Sequence, residues 1–155
     1  MDMLIRLYGS SIADGPGAAA AATVRKPIGP EHDLVVDWIA AQFGPGWASE
    51  ARVALGNRPP TLFIATGGEP PALLGFCAYD ATARGMLGPI GVHEGTRGGG
   101  VGAALLRACL RDMRALGYGY AVVGGVGAPE FFRRVAGATE IEDSTPGVYG
   151  GMLRR

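Results

Sequence analysis

Residues 91–113 read GVHEGTRGGGVGAALLRACLRDM, and this stretch decides the fold. Glycine fills four of the five positions from Gly98 to Gly102, and an amphipathic helix pattern begins at Val101. Because glycine loses the most conformational freedom on folding, such a cluster needs a structural reason. A strand that passes through glycines into a helix N-terminus presents unpaired backbone N–H groups and partial positive charge. The stretch therefore predicts a phosphate-binding turn; the alternative is a tight strand-to-helix turn without a ligand.

Composition and charge indicate a globular protein without a bulk attraction to polyanions. Of the 155 residues, 48% are hydrophobic and 18% are charged, and 14 basic residues balance 14 acidic ones. We therefore expect no nucleic-acid partner and no membrane partner. The sequence contains no run of ~20 apolar residues, which is the length that spans a bilayer. The first residues lack the apolar region of a signal peptide. Cys77 and Cys109 lie far apart without metal-ligand spacing, so we expect a reducing cytoplasm, no disulfide framework and no metal.

Hydrophobic periodicity on both sides of the glycine turn predicts one mixed α/β domain. The predicted strands are residues 4–8, 23–26, 61–66, 73–79, 86–92, 118–123, 140–141 and 148–153. The predicted helices are residues 30–43, 49–55, 101–116 and 129–135. Turn sequences separate the three strands between residues 61 and 92, which predicts an antiparallel meander. Pro89 lies inside the last of these strands and predicts a bulge or a local distortion.

The first residues of the chain form a segment apart from this pattern. Residues 9–21 are small and rich in glycine and alanine, and we expect them to be the least ordered part of the chain. We interpret residues 1–21 as an N-terminal extension and residues 22–155 as the domain. The extension is expected to add an edge strand or to pair with a second subunit in a homodimer, because exposed strand edges are ready pairing sites.

Two kinds of phosphate site fit the glycine turn. Gly98, Gly100 and Ala103 match a G-x-G-x-x-A dinucleotide fingerprint. That fingerprint requires an acidic residue at the end of the next strand, about 20 residues further on. The strand here ends in VVGG at residues 122–125, without an acid, and the preceding strands indicate an antiparallel meander. An NAD(P)-binding oxidoreductase is therefore the weaker alternative.

Counted from Arg97, residues 97–102 fit the pattern R-x-x-G-x-G, and the flanking segments follow the order of a known family. These segments are TVRKPIGPEHDLVVDWI at 23–39, LLGFCAYD at 73–80, MLGPIGV at 86–92 and YGYAVVGGVGAPEFFRRVAGA at 118–138. With them, residues 22–155 resemble the GCN5-related N-acetyltransferases (GNAT). The segments correspond to that family's opening strand and first helix, third strand, fourth strand, and fifth strand with the following helix. The resemblance implies a central, mostly antiparallel sheet with splayed fourth and fifth strands and helices on both faces.

The resemblance also implies an activity and a binding site. The donor would be acetyl-CoA, and the acceptor would be the primary amine of a small molecule, such as an amino acid, an amino sugar or a polyamine, which attacks the thioester directly. The residues that the resemblance assigns to coenzyme A are Val92, Arg97, Gly98, Gly99, Gly100, Val101, Gly102, Ala103 and Phe132. The N–H groups of the loop would bind the pyrophosphate, and the backbone of Val92 would meet the thioester carbonyl or the pantetheine arm.

The general acid and the general base are the points at which the chain departs from the family. Phe132 stands where many members have a tyrosine that protonates the thiolate, and strand 86–92 contains no glutamate that could act as base. The nearby ionisable candidates are His93, Glu94 and Glu130. Histidine as a residue type titrates near neutrality, but all three positions also fit a solvated loop or a helix terminus. The missing tyrosine leaves a non-catalytic acyl-CoA-binding or sensor module as an alternative.

Overall fold

A computed structural model describes residues 1–9, 12 and 22–155, so most of the segment expected to be least ordered, 9–21, lies outside the described residues. The strands are β1 (Asp2–Arg6), β2 (Thr23–Arg25), β3 (Leu62–Gly67), β4 (Ala72–Tyr79), β5 (Met86–Val92), β6 (Tyr120–Val123) and β7 (Thr139–Ile141). The helices are α1 (His32–Phe43), α2 (Pro45–Gly56), α3 (Val101–Ala115) and α4 (Pro129–Ala136). Single 3-10 turns cover Gly29–Glu31, Glu94–Thr96 and Gly147–Tyr149. Over the described ranges, no helix is long and apolar enough to cross a membrane.

The strands form one seven-stranded sheet in the order β2-β3-β4-β5-β6-β1-β7. Its pairings are antiparallel except the one between β5 and β6, which is parallel. Strands β3, β4 and β5 form the meander that the turn sequences predict. The mixed α/β fold with a mostly antiparallel sheet is therefore confirmed.

Helices cover both faces of this sheet because successive side chains of a strand point to opposite sides. In β4, Phe76 and Ala78 belong to the buried core beneath α1 and α2. Cys77 and Tyr79 alternate with them and belong to the core beneath α3 and α4. The predicted arrangement of helices on both faces is thus confirmed.

The junction of α1 and α2 depends on two residues, of which one ends the first helix and the other begins the second. Gly44 has a φ of 98°, which favours glycine, and its N–H donates to the Ala40 carbonyl oxygen at 3.0 Å. Pro45 then occupies the first turn of α2, where its missing N–H has no consequence. Helix α2 therefore begins earlier than the helix 49–55 predicted from the sequence, and it includes Trp47.

Strand β1 lies inside the sheet, hydrogen-bonded to β6 on one side and to β7 on the other. The expectation of an edge strand is therefore wrong, since the edges of the sheet are β2 and β7. The apolar side chains of Met3 and Ile5 are fully buried, which accounts for the internal position. The Asp2 N–H donates to Ser144 Oγ at 2.7 Å, and Asp2 Oδ1 accepts the Gly125 N–H at 2.9 Å. These bonds tie β1 to the C-terminal segment and to the end of β6.

Residues 148–153 do not form the strand that their pattern predicts. Gly147 and Gly151 have φ values of 62° and 76°, which turn the chain on both sides of Tyr149. The C-terminal segment instead lines the cleft described below.

Strands β5 and β6 part after a short parallel pairing. Gly88 and Pro89 together oppose Ala78 of β4, which is a two-against-one bulge. Strand β6 pairs with β5 only in the register of Met86 and Leu87. The predicted distortion at Pro89 and the predicted splay of these two strands are therefore confirmed.

Candidate active site

A large cleft opens where β5 and β6 part, with a volume of about 2120 Å³. Its walls come from α2, β5, the glycine turn, the start of α3, the end of β6, α4 and the C-terminal segment. In the register of the two described strands, the backbone of β5 beyond Leu87 has no partner in β6. The cleft therefore combines backbone hydrogen-bonding groups with side chains that are distant in sequence.

The glycine turn borders the cleft at the N-terminus of α3. Gly98 and Gly100 have φ values of 89° and 82°, which side chains rarely permit, so the turn conformation itself requires these glycines. Gly102 lies in the first turn of α3, and a methyl group there would lie 3.5 Å from Val92 Cγ2 and from Phe131 Cζ. Because the N–H groups of a first helical turn lack intrahelical partners, this part of the cleft suits an anion.

The residues that the family resemblance assigns to coenzyme A come together on this one cleft. Those that line it are Val92, Arg97, Gly98, Gly99, Gly100, Val101, Gly102, Ala103 and Phe132. Phe132 is 5% exposed, and its ring centroid lies 5.1 Å from that of Phe131. The role of these residues in binding a coenzyme stays a prediction, and their common location agrees with it.

Basic side chains line the cleft that the glycine turn borders. Arg97, Arg107 and Arg134 line the cleft, and Arg107 Nε is buried without a hydrogen-bond partner among the described residues. Sequence reasoning missed Arg107 as a site residue, although its spacing of four from Ala103 places both on one face of α3. The positive charge suits a ligand with several phosphates.

Each of the three ionisable residues considered as catalytic lies within two residues of one that lines the cleft. Among the described residues, those that line it do not include His93, Glu94 or Glu130. His93 Nδ1 accepts the Gly95 N–H at 3.1 Å, Glu94 is exposed, and Glu130 forms an ion pair with Arg133 on α4. The described part of the chain also contains no group of three or more His, Cys, Asp and Glu side chains that could hold a metal ion. The catalytic role of these three residues stays a prediction.

Three polar side chains that sequence reasoning missed line the cleft near the point where β5 and β6 part. They are Glu50 of α2, Thr82 after β4 and Tyr149 of the C-terminal turn, here termed the polar cluster. Thr82 Oγ1 donates a hydrogen bond to Glu50 Oε1. A methyl group at Gly124, directly after β6, would lie 3.0 Å from the Tyr149 hydroxyl oxygen. No local sequence signal identifies the cluster, because its members come from a helix, a loop and a segment that resembles a strand.

Tyr149 is held as a neutral phenol. Burial raises its pKa, the negative charge of Glu50 raises it further, contact with the Thr82 hydroxyl lowers it, and the charge of Asp2 raises it. The net shift of the pKa is upward from the ordinary value of about 10. The hydroxyl therefore carries its proton at neutral pH and can donate it.

Aromatic rings form the wall beside the polar cluster. Phe43 and Trp47 line the cleft, their ring centroids lie 5.0 Å apart, and both rings pack on Phe76. The Phe43 ring rests on Gly91 of β5, where a Cβ atom would lie 2.6 Å from Phe43 Cζ. Glycine at this position therefore allows the end of α1 to approach the strand that lines the cleft.

Comparison with known protein families gives one match. Residues 32–137, more than half of the chain, match the family model described as the acetyltransferase (GNAT) family. No curated protein matches the chain significantly. The matched residues include helices α1 to α4, strands β3 to β6 and the glycine turn.

Solved structures share this fold at low sequence identity. A GCN5-related N-acetyltransferase from Sphaerobacter thermophilus has a TM-score of 0.70 and 21% identity over 89% of this chain, which spans 47% of that chain, about half its length. A GNAT family N-acetyltransferase from Escherichia coli in complex with CoA has a TM-score of 0.53 and 21% identity, covering 79% of this chain and 70% of its own. A GNAT family acetyltransferase from Brucella melitensis in complex with acetyl-CoA has a TM-score of 0.52 and 23% identity, covering 73% and 80%. By its family match and its fold, the chain belongs to the GNAT acetyltransferase family.

Proposed function

We propose that the protein transfers the acetyl group of acetyl-CoA to the primary amine of a small molecule, such as an amino acid, an amino sugar or a polyamine. One observation carries the proposal: the glycine turn and the half-buried Glu50 carboxylate line the same cleft, which opens where β5 and β6 part. The turn suits the phosphates of the donor, and the carboxylate suits an amine. Membership of the acetyltransferase family supports the reaction class.

Coenzyme A would bind along the part of the cleft bordered by the glycine turn. Backbone N–H groups from Gly98 to Ala103 would bind its pyrophosphate, and Arg97, Arg107 and Arg134, which line the same cleft, would bind further phosphate oxygens. The pantetheine arm would occupy the gap between β5 and β6, where the β5 backbone offers hydrogen-bonding groups. The E. coli and Brucella relatives solved with CoA and acetyl-CoA support this ligand.

The reaction needs a neutral amine, a polarised thioester carbonyl and a proton for the leaving thiolate. An acceptor that arrives as an ammonium ion first loses a proton to water. Its neutral nitrogen then attacks the carbonyl carbon, a C–N bond forms, the C–S bond breaks, and the nitrogen loses a second proton to water. The backbone N–H of Val92 is the expected donor to the carbonyl oxygen. Phe132 cannot protonate the thiolate, whereas the neutral Tyr149 hydroxyl beside Gly124 can.

Thiol release from acetyl-CoA in the presence of a panel of amines tests this function. We expect one class of small primary amine to raise thiol release and to yield a matching amount of N-acetylated product. Binding of coenzyme A without thiol release for any amine would favour the non-catalytic binding module, which the missing tyrosine at Phe132 motivates. Binding of NAD(P) without binding of coenzyme A would favour the oxidoreductase.

A cytoplasmic location belongs to the same proposal. Cys77 and Cys109 are both buried and unbridged, and Cys109 Sγ donates to the Cys77 carbonyl oxygen at 3.4 Å. Burial raises the pKa of the Cys109 thiol, so it stays protonated. Free buried thiols agree with a reducing compartment.

A further inference from the structure

We propose that the Glu50 carboxylate binds the ammonium group of the acceptor, so that the cleft selects amines that are positively charged in solution. This inference rests on the proposed function and concerns its substrate class. It starts from the charges along the cleft. Among the described residues that line it, Glu50 is the single acidic one, whereas Arg97, Arg107, Arg134, Arg154 and Arg155 are basic.

Among the residues that the structure describes, the Glu50 carboxylate has no positively charged partner. The ion pairs of the described residues join Arg25 to Glu31, Lys26 to Asp112 and Arg133 to Glu130 and Glu140, and none includes Glu50. The side chain is half-buried on the wall of the cleft. Because a carboxylate that has lost part of its hydration is stabilised by a paired cation, this position favours a cationic ligand.

A hydrogen bond holds one oxygen of the carboxylate on the wall of the cleft. Thr82 Oγ1 donates to Glu50 Oε1, and the described residues provide no hydrogen bond to Oε2, which remains available to a donor. Glu50 and Tyr149 line the same cleft, and the charge of Glu50 raises the pKa of Tyr149. Tyr149 in turn contacts Gly124 at the point where β5 and β6 part. An ammonium group held by Glu50 would thus lie beside the place where the thioester is expected.

The neighbouring wall suits the rest of such an acceptor. Trp47 lies three residues before Glu50, so both project from the same side of α2. Its ring and that of Phe43 line the cleft with their centroids 5.0 Å apart. Aromatic faces attract cations and pack against hydrocarbon. The expected acceptor is therefore a cationic amine with an apolar carbon skeleton, not a phosphorylated amine.

Steady-state kinetics of Glu50→Gln test this assignment. Once the panel above has identified an acceptor, we expect the variant to raise the KM for that acceptor about 10- to 100-fold, because a hydrogen bond to a charged group is lost. The KM for acetyl-CoA should stay within about twofold. The KM for a small oxyamine that is mostly neutral at the assay pH should change little on the same substitution, since its binding uses no positive charge.

Two further variants separate a role in binding from a role in folding. Glu142→Gln removes an exposed carboxylate outside the cleft and should leave the KM for the acceptor unchanged. Thr82→Val should raise this KM several-fold by releasing Glu50, and Thr82→Ser should restore it. The thermal unfolding midpoint and the Kd for coenzyme A should match wild type in the Glu50→Gln protein.

Two negative results have different meanings. A wild-type protein that binds coenzyme A but acetylates no amine would overturn the proposed function, and this inference with it. An active wild-type protein whose KM for a cationic acceptor is unchanged by Glu50→Gln would overturn only the inference. An equal rise in the KM for the neutral oxyamine and for the cationic amine in Glu50→Gln would also overturn only the inference.

Discussion

At the scale of single residues, the glycines around the start of α3 have different requirements. Gly100 has a φ of 82°, so any side chain there strains the backbone whatever the ligand. Gly102 has helical geometry, and a larger side chain there would meet Val92 and Phe131 and fill the cleft beside the helix N-terminus. Gly102 is therefore the position at which ligand binding and folding can be separated.

We expect Gly102→Val to weaken coenzyme A binding about 10- to 100-fold, because the new side chain displaces the phosphate from the N–H groups of the turn. The unfolding free energy should change by less than about 1 kcal/mol, since valine is a better helix residue than glycine. Isothermal titration and chemical denaturation measure the two quantities. Gly100→Ala should lower both the affinity for coenzyme A and the unfolding free energy. Unchanged binding in Gly102→Val would contradict the phosphate site.

Tyr149→Phe tests the proton donor. We expect kcat to fall about 100-fold, the lower end for loss of a general acid, with little change in the KM for acetyl-CoA. Because the pKa of Tyr149 is raised above its ordinary value of about 10, the phenol keeps its proton up to high pH. The wild-type rate should therefore fall only as the pH rises through that raised pKa, and the variant should lack this fall. An unaltered kcat in Tyr149→Phe would assign the proton to another donor.

At the scale of elements, the link between β2 and α1 depends on an ion pair. Arg25 donates to both oxygens of Glu31 at 2.7 Å, and the Ile28 N–H donates to Glu31 Oε1 at 2.8 Å. The hydrogen bonds from Arg25 and then from Ile28 lower the pKa of Glu31 from 4.5 to about 2. The stabilisation is therefore complete above pH 4.5 and is lost as the pH falls toward 2.

We expect Glu31→Gln to lower the unfolding free energy at pH 7 by about 1 kcal/mol or less, because the pair is partly exposed and screened by solvent. The difference from wild type should become small as the pH falls to about 2, where half of the Glu31 carboxylates in the folded protein are protonated. Urea denaturation of both proteins over this pH range measures the effect. A difference that persists at pH 2 would show that packing, not charge, holds this link.

The elements themselves were predictable to different degrees. The bounds of β5 and the start of α3 follow from local patterns, in which Gly100 ends the turn and Val101 begins the apolar face. The position of β1 does not, because its partners Val123 and Ile141 lie more than a hundred residues away. Tyr149 and Glu50 were missed for the same reason. Their proximity depends on two glycine turns near the C-terminus and on the packing of α2, and neither leaves a periodic signal.

At the scale of the whole molecule, the N-terminal strand β1 joins β6 to β7 inside the sheet. Ile5 is fully buried between the neighbouring strands and helices, and we expect Ile5→Ala to cost about 2–5 kcal/mol of unfolding free energy. Leu34→Ala, at a position that is 67% exposed on α1, should cost less than about 0.5 kcal/mol. Denaturant unfolding measures both. Equal small effects would contradict the internal position of β1.

A homodimer stays a prediction, and the internal position of β1 changes how it is tested. Removal of residues 1–21 would remove β1, which lies between β6 and β7 in the sheet. We expect this truncation to unfold the sheet, so it could not show whether the subunits merely separate. Sedimentation of the intact chain over a range of concentrations is therefore the informative experiment. A mass that rises with concentration toward twice the monomer would support the dimer, and a constant monomer mass would contradict it.

The central claim is that this cleft moves an acetyl group from coenzyme A to an amine. The most direct measurement uses acetyl-CoA that carries carbon-13 in the carbonyl group of its acetyl moiety. NMR follows this label in the presence of the best acceptor from the amine panel. We predict that the thioester signal is replaced by an amide signal at a rate proportional to the enzyme concentration, and that Gly102→Val slows this replacement. A label that stays in the thioester, or that appears only as free acetate, would contradict the account.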